Sequence, residues 1–467
     1  MTEFGKSLEI QETSIPGLLI LDLPVHGDSR GWFKENWQRE KMLAAGLPDL
    51  GPVQNNISFN DEVGTTRGIH AEPWDKYVSV ATGKIFGAWV DLREGDSFGK
   101  VFTAELDPSK AIFVPRGVGN SYQTLEADTA YVYLVNDHWS PTAEYTFLNL
   151  ADETSAIRWP IPLEDALLSE KDQAHPSLIS VVPMKAKKTL VIGAGGQLGQ
   201  ALRETFPLAD FAGKQDFDVT NAQHFDEINW SEYEYVINAS GFTAVDDAES
   251  NAGRIRAWET NVSGISRLVE RCSQHRVTLL HISSDYVFDG VQAEPYDENS
   301  PFSPLSVYGQ TKAASDALVS TLSKHYILRT SWVIGQGSNF VRTMASLAQK
   351  GVSPLVVNDQ FGRLTFTQDL ASAIKHLLEN KSPYGLYNFS NEGDVVSWSH
   401  IAKEVFKLTG FNPELVTGVS TEVYFSDKKL AAPRPANSAL NIEKIKQTGF
   451  SPVTWNSRLR EYLADIQ

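Results

Sequence analysis

Hydrophobic and polar positions give this chain two textures. Up to about residue 183, short alternating runs dominate: LLILDL (18–23), KYVSVAT (76–82), KIFGAWVDL (84–92), VFTAEL (101–106), AIFVP (111–115) and TAYVYLV (129–135). Turn clusters such as REGDSFG and LDPSK separate them. Closely spaced short strands predict an all-β sandwich or barrel. Helical pattern is scarce there, and REKMLAAG at 39–46 is its clearest piece. From Thr189 onward, apolar strands such as YVINAS, VTLLHIS and YILRTSW alternate with helical stretches such as AGRIRAWETNVSGISRLVERC (252–272). That alternation predicts a doubly wound parallel α/β sheet. There is no internal repeat, so the halves are different folds. The basic segment PMKAKK, at 183–188, carries no core pattern. The chain therefore reads as a domain at 1–183, a linker at 184–188 and a second domain at 189–467.

Composition narrows the partners. A length of 467 residues exceeds one ordinary domain, and a formal net charge of −17 argues against nucleic acid and anionic membranes, which need a basic face. The single cysteine, Cys272, forms no intrachain disulfide and suits a reducing cytoplasm. No run of about twenty apolar residues predicts a membrane span. The N-terminus has no basic region followed by an apolar run, so no signal peptide is expected.

The stretch TLVIGAGGQLG at 189–199 organises the second half. Thr189 to Ile192 reads as a buried strand. Gly193, Gly196 and Gly199 follow, with an extra glycine at 195, and then a helical run. Strand, glycine turn and helix N-terminus together form an anion site, because free backbone N–H groups and the helix dipole converge there. The spacing is GxxGxxG, a variant of the dinucleotide fingerprint. Further on, Ser284 closes the strand VTLLHIS, and Tyr308 and Lys312 stand four apart on one helical face. An ammonium beside a phenol favours the phenolate, and such a tyrosine can pass a proton to a carbonyl oxygen as hydride arrives.

Glycine turn, strand-end serine and YxxxK occur in the order of the extended short-chain dehydrogenase/reductase family, which this half resembles. DYVFDG (285–290), SPLSVYGQTK (303–312), LRTSWVIG (328–335), NDQFG (358–362) and RPANSAL (434–440) are similar to dTDP-4-dehydrorhamnose reductases. The resemblance implies a Rossmann domain with a small substrate-binding lobe. It places Gly193, Gln197 and Leu198 at the pyrophosphate turn and Asp218 and Val219 beside the adenine. Ser284, Tyr308 and Lys312 become the catalytic set, and Thr243, Val245, Tyr286 and Trp332 line the sugar pocket. The cofactor is NADPH or NADH, with Lys214 a candidate partner for a 2′-phosphate. Mg2+ is compatible with the resemblance but shown by no residue. The family usually has threonine at Ser284 and proline before the threonine in Arg363-Leu364-Thr365.

In the first half, Thr66-Arg67-Gly68-Ile69-His70 and Lys76 fall between expected strands. No second histidine stands two residues from His70, so no metal is expected. A metal-free proton abstraction uses one histidine as base, a carboxylate to orient it and an acid on the other face. DSRGWFKENW (28–37), VQNNIS (53–58), TRGIH (66–70), VDLREG (90–95), YLVNDHWSP (133–141) and LSEKD (168–172) resemble dTDP-4-dehydrorhamnose 3,5-epimerases, which are cupin jelly rolls. The resemblance makes His70 the base, Asp172 its orienting carboxylate, Tyr133 the acid and Lys76 the stabiliser of the enolate. Arg30 and Arg67, with Glu35, Gln54 and Asn56, would hold the nucleotide diphosphate. Two positions depart from the family: Asn120 stands where it has histidine, and Gly87 where it usually has aspartate.

The two resemblances imply consecutive steps on one dTDP-sugar, in a cytoplasmic homo-oligomer. Two alternatives stay open at this point. One is a reductase with a non-catalytic or single-position epimerase cupin. The other is a non-catalytic, nucleotide-sensing regulatory subunit.

Overall fold

In a computed structural model, residues 5–140, 143–427 and 430–466 are described. The chain folds as two compact units, Met1–Ala186 and Lys187–Gln467.

The first unit is a sandwich of two antiparallel sheets. One carries, edge to edge, Glu9–Glu12, Leu19–Asp22, Lys110–Val114, Lys76–Thr82, Thr129–Val135 and Gln54–Asn60. The other carries Thr146–Phe147, Thr66–Ala71, Val118–Thr124, Ile85–Asp91 and Val101–Leu106. The alternating runs fold as they read, because one face of each strand is apolar and packs inward. Val78, Val80, Ile112, Trp89, Tyr122 and Tyr131 meet between the sheets. The strand Val118–Thr124 has no apolar pattern, since Asn120, Ser121, Gln123 and Thr124 are all buried. Hydrogen bonds satisfy them instead; Gln123, for instance, donates to Thr66 Oγ1 and to the Ile161 carbonyl.

The second unit has a six-stranded parallel sheet in the order Asp210–Ala212, Lys188–Ile192, Tyr233–Asn238, Thr278–Ser284, His325–Thr330, Gly385–Phe389. Chain direction across the sheet reverses at Lys188–Ile192, the first strand of the unit. Such a switch point leaves a crevice at the carboxyl ends of the strands. Helices cover both faces. Leu198, Leu202, Leu370 and Ile374 pack on one, and Phe225, Ile265, Leu268 and Val319 on the other. A separate core of Val341, Met344, Ile401, Val405, Phe406 and Trp455 forms the small lobe.

Two expectations need correction. The segment 184–188 is not a bare linker: Met184 is buried in the first unit and its N–H donates to the Leu92 carbonyl, while Lys188 begins a strand. The helical stretch 252–272 is interrupted by a π turn at Glu259–Ser263. Its buried Asn261 bonds the backbone of Phe242 and the hydroxyl of Thr311.

Candidate functional sites

In the first unit, the strand Thr66–Ala71 carries His70, the candidate base. Its register with Val118–Thr124 slips between the pairs Asn120–His70 and Tyr122–Arg67. The slip matters because residues three apart on a regular strand point to opposite faces. Here Arg67 and His70 stand opposite residues that share a face. His70 Nε2 lies 2.9 Å from Asp172 Oδ1, and its side chain is 34% exposed. With Nε2–H donated to the carboxylate, Nδ1 carries the lone pair and is the nitrogen that can accept a proton. Asp172 sits in a short helix whose N-cap, Ser169, accepts its N–H, and it also accepts the N–H of Gly68. Burial works against its charge, but the bonds from His70, Gly68 and Ser169 hold the carboxyl below the usual range.

Sequence reasoning missed His175. Its buried ring stacks on Phe147 with centroids 4.7 Å apart, and its Nε2 lies 3.9 Å from Asp172 Oδ1. The ligand atoms of His70, Asp172 and His175 all lie within 4.8 Å of one another. The second histidine that the linear spacing lacked is therefore supplied by the fold, from beyond Asp172. The short sequence interval Asp172–His175 was the available signal.

Lys76 is buried and pairs with Glu72 at 2.6 Å, and its ammonium lies 4.9 Å from the centre of the Tyr133 ring. Burial first, then the charge of Glu72, raises the Tyr133 phenol above its ordinary value, with Arg67 opposing. Gln54 and Asn56 bond each other on the strand that pairs with Tyr133. The exposed Arg67 donates to Asn60. Arg30 and Glu35 are not brought to this group. Arg30, with a side chain 87% exposed, pairs with Asp28 in a separate hairpin, and Glu35 pairs with Lys41. The motif 133–141 ends at Pro141, outside the described residues.

The two departures from the family pattern are joined through one side chain. A Cβ at Gly87 would lie 2.1 Å from the Trp89 ring. The Trp89 indole N–H donates to Asn120 Oδ1 at 2.9 Å, and Asn120 exchanges bonds with the Tyr131 hydroxyl. Gly87 makes room for Trp89, and Asn120 satisfies it inside the sandwich.

In the second unit the glycine turn fits a dinucleotide. Gly193 has φ +87°, and its Cβ would strike the Ser240 backbone at 2.6 Å; a Cβ at Gly199 would lie 2.3 Å from Gly193 O. Gly195 and Gly196 face open space and meet nothing closer than 3.4 Å. The helix Gln197–Thr205 begins at Gly196, and its first intrahelical bond comes from Gln200 N–H. The backbone N–H groups of Gln197, Leu198 and Gly199 are thus left for an anion. The side chains of these residues bond and pack within the protein. Gln197 accepts from Gly335 N–H, and Leu198 and Val219 are buried in core clusters. Asp218 accepts from the backbone and hydroxyl of Thr220, and Lys214, with a side chain 86% exposed, stands 3.8 Å from it.

Ser306 caps the helix Val307–Val319, placing Tyr308 and Lys312 in its first turns, both buried. Burial raises the Tyr308 phenol well above its ordinary range, with Ser284 opposing through a hydrogen bond. Tyr286 meets Tyr308 edge-on at 5.4 Å, and Val245 packs against the same cluster. Thr243 is exposed nearby in sequence. A cavity of about 340 Å³ is lined by Tyr286, Trp332, Trp398, Phe425 and Arg434, among others. Trp332 is both lining and packing, since it stacks on Trp398 at 3.8 Å. Trp398 and Arg434 went unassigned in the sequence, although Arg434 opens a quoted motif. Leu364 fills the core where the family has proline, and Thr365 N–H donates to Trp332 O.

Known proteins resemble both units. A family model described as dTDP-4-dehydrorhamnose 3,5-epimerase matches residues 12–180, and one described as RmlD substrate binding domain matches residues 187–467. The chain is 52% identical over 197 residues to an RmlC homolog of Streptococcus pyogenes, covering 40% of this chain and 99% of that protein. It is 37% identical over 299 residues to the dTDP-4-dehydrorhamnose reductase of Aggregatibacter actinomycetemcomitans, covering 59% and 98%. A solved dTDP-4-dehydrorhamnose reductase from Bacillus anthracis, in complex with NADP, is 31% identical with a TM-score of 0.55, covering 60% of this chain and 100% of that one.

Proposed function

Because the chain belongs to the dTDP-4-dehydrorhamnose 3,5-epimerase family over 12–180 and to the RmlD family over 187–467, we propose that it makes dTDP-L-rhamnose in two consecutive steps. The first unit epimerises dTDP-4-dehydro-6-deoxy-glucose at C3 and C5. The second reduces the 4-keto group with NADPH. The observation that carries this reading is that one chain holds both a bonded His70–Asp172 pair and a buried Ser284, Tyr308 and Lys312 set.

In the first step, His70 Nδ1 takes the proton from the carbon beside the ketone. Asp172 stabilises the imidazolium that forms. The Lys76 ammonium faces the oxygen on which enolate charge develops, and Tyr133 returns a proton on the opposite face. C3 and C5 both flank the C4 ketone, so the C–H at each is acidified by it in turn. In the second step, Tyr308 donates its proton to the C4 oxygen, and Ser284 orients that oxygen. A bound nicotinamide dinucleotide supplies the hydride. Gln197, Leu198 and Gly199 hold a pyrophosphate by their N–H groups. Asp218 and Lys214 stand on the side where the adenosine would lie.

Gln54 and Asn56 are supported as contacts for the nucleotide by their positions on the strand beside Tyr133, and Arg67, on the facing sheet, by its exposed guanidinium, whose charge reaches the Tyr133 phenol. Arg30 and Glu35 have no such support within one chain. A homo-oligomer is supported by exposed Ile57 and Phe59 on an edge strand and by Phe33 on the hairpin that carries Arg30. No helix among the described residues is long and apolar enough to cross a membrane, and a cytoplasmic site of action is part of this reading. The test is a steady-state assay. The purified chain alone should oxidise NADPH when given dTDP-4-dehydro-6-deoxy-glucose, with no epimerase added. Oxidation only after a separate epimerase is supplied would reduce the first unit to a binding domain.

A further inference from the structure

No step above uses His175, yet both of its ring nitrogens are buried and neither has a hydrogen-bond partner among the described residues. An imidazole offers one donor and one acceptor, and leaving both unmade in a buried place is costly. Its side chain is 6% exposed. The Gly68 backbone, though near enough to favour a charge on the ring, completes no bond with it. The ring is held by stacking on Phe147, and it meets the His70 ring edge-on at 5.3 Å.

The unpaired ring stands against two other metal ligands. Nε2 lies 3.9 Å from Asp172 Oδ1, the oxygen that also bonds His70 Nε2 at 2.9 Å. One ligand atom from each of His70, Asp172 and His175 lies within 4.8 Å of the other two. Tetrahedral zinc binds nitrogen and carboxylate oxygen at about 2.0–2.2 Å, which sets ligand atoms about 3.4 Å apart. The separations of 2.9 and 3.9 Å bracket that value. The third, at most 4.8 Å, has up to about 1.4 Å to close, and His70 is the one partly exposed member. Two imidazoles and one carboxylate suit zinc, nickel or copper and leave a fourth position open. Magnesium, which demands octahedral oxygen ligands, does not fit. The three residues come together because the helix Glu170–Gln173 carries Asp172 and sets down His175 two residues beyond its end.

We propose that His70, Asp172 and His175 form a binding site for a divalent cation of the zinc class, and that the bound cation switches the first unit off. The switching, though not the binding, rests on His70 being the base of the epimerase reading. Its cause is the tautomer. In the metal-free pair, Nε2–H is donated to Asp172 and Nδ1 holds the lone pair. A cation bound at Nε2 needs the lone pair there. The one proton of the neutral ring then sits on Nδ1, the nitrogen that has to receive the proton of the substrate. The carboxylate of Asp172 is taken as well, since its charge now faces the cation rather than a forming imidazolium. The metal-free pair is the working form and the bound form is inhibited. Among the described residues no other group of three His, Cys, Asp or Glu side chains lies so close, so the second unit should not respond.

Binding is read first, without activity, on the untagged full chain stripped with EDTA. Cobalt(II), a zinc stand-in with a visible spectrum, should give the intense bands of a tetrahedral site at one equivalent, and added zinc should bleach them. His175→Gln and Asp172→Asn, each checked by its melt, should weaken cobalt binding at least about tenfold, since loss of even an outer-shell partner costs that much. Inhibition is read next, with Mg2+ in excess to occupy the substrate diphosphate. Zinc should slow deuterium entry at C3 and C5 in step with occupancy of the cobalt site, and EDTA should restore it. Mg2+ alone should leave exchange untouched, and reduction of pre-epimerised 4-keto-rhamnose should go on at the same rate with zinc present. In His175→Gln the zinc concentration for half-inhibition should rise by the same factor as the cobalt Kd. Cobalt binding that is absent in the wild type, or unmoved in the folded variants, would overturn the site. Zinc that binds there without slowing exchange, or slows exchange and reduction alike, would overturn the switch. A metal-free chain that shows no exchange at all would count against the epimerase reading instead, and the cobalt titration would still decide the site.

Discussion

The two catalytic regions treat charge in opposite ways. Around His70, two charged groups each meet a partner of opposite charge: His70 meets Asp172 at 2.9 Å, and Lys76 meets Glu72 at 2.6 Å. Around Tyr308, Lys312 hydrogen-bonds a carbonyl and an imidazole, and among the described residues no carboxylate lies in salt-bridge contact with it, though the Asp316 charge acts on it. The difference follows from the chemistry. A C–H bond is a poor acid, so the base must be stabilised as it gains a proton, and a paired carboxylate does that. A ketone oxygen needs a donor that stays protonated until hydride arrives, and burial without a counter-charge keeps Tyr308 so. The first site is half open and built from pairs; the second is closed, and its tyrosine and lysine are buried.

Glycine positions offer the sharpest way to break the second region. Gly199→Val would drive a side chain into Gly193 O, 2.3 Å from the Cβ position, and should abolish cooperative unfolding of the Lys187–Gln467 unit. Gly196→Val points into open space, so circular dichroism should show a normal melt while calorimetry shows NADPH binding weakened at least about tenfold. Unchanged binding would make the turn purely structural.

Next in size is the first region's Trp89. Asn120→His should cost about 1–3 kcal/mol, because Trp89 N–H and the Tyr131 hydroxyl lose a buried partner. A melt of the wild type and the variant measures it. A neutral result would detach Asn120 from Trp89.

The smallest effect is a pH dependence. Burial raises the Asp285 carboxyl to about 6. An acid raised in the fold binds its proton more tightly there than in the unfolded chain. Its contribution to stability is therefore full below about pH 4 and is lost as pH rises through 6. Asp285→Asn should leave the melting temperature at pH 4 unchanged and raise it by a few degrees at pH 8. A shift of similar size at both values would contradict the sign.

Much of both sites was legible in the sequence, for a physical reason. Strand, glycine turn and helix are contiguous at 189–199, and Tyr308 and Lys312 share one helix, so local spacing predicts their geometry. TRGIH marks the base, but its partners arrive from a distance. His175 joins His70 only because a short helix at Glu170–Gln173 returns to the sheet edge. The strand Val118–Thr124 was unreadable because buried polar residues, satisfied by hydrogen bonds, erase the period-two pattern. At Leu198 and Val219 the motif does not say whether side chain or backbone meets a ligand: both side chains pack in the core, and at Leu198 it is the backbone N–H that faces the turn. Asn261 and His281 hydrogen-bond to residues of the Val307–Val319 helix from other elements, and no spacing announces that.

The claim that each unit carries its own chemistry is tested most directly by proton NMR in D2O with dTDP-4-dehydro-6-deoxy-glucose. In Tyr308→Phe, deuterium should enter C3 and C5 at the wild-type rate while NADPH oxidation falls by about a hundred- to ten-thousand-fold. In His70→Asn, neither carbon should exchange, yet pre-epimerised 4-keto-rhamnose should still be reduced. Exchange at C3 and C5 that survives in His70→Asn, or disappears in Tyr308→Phe, would contradict the account.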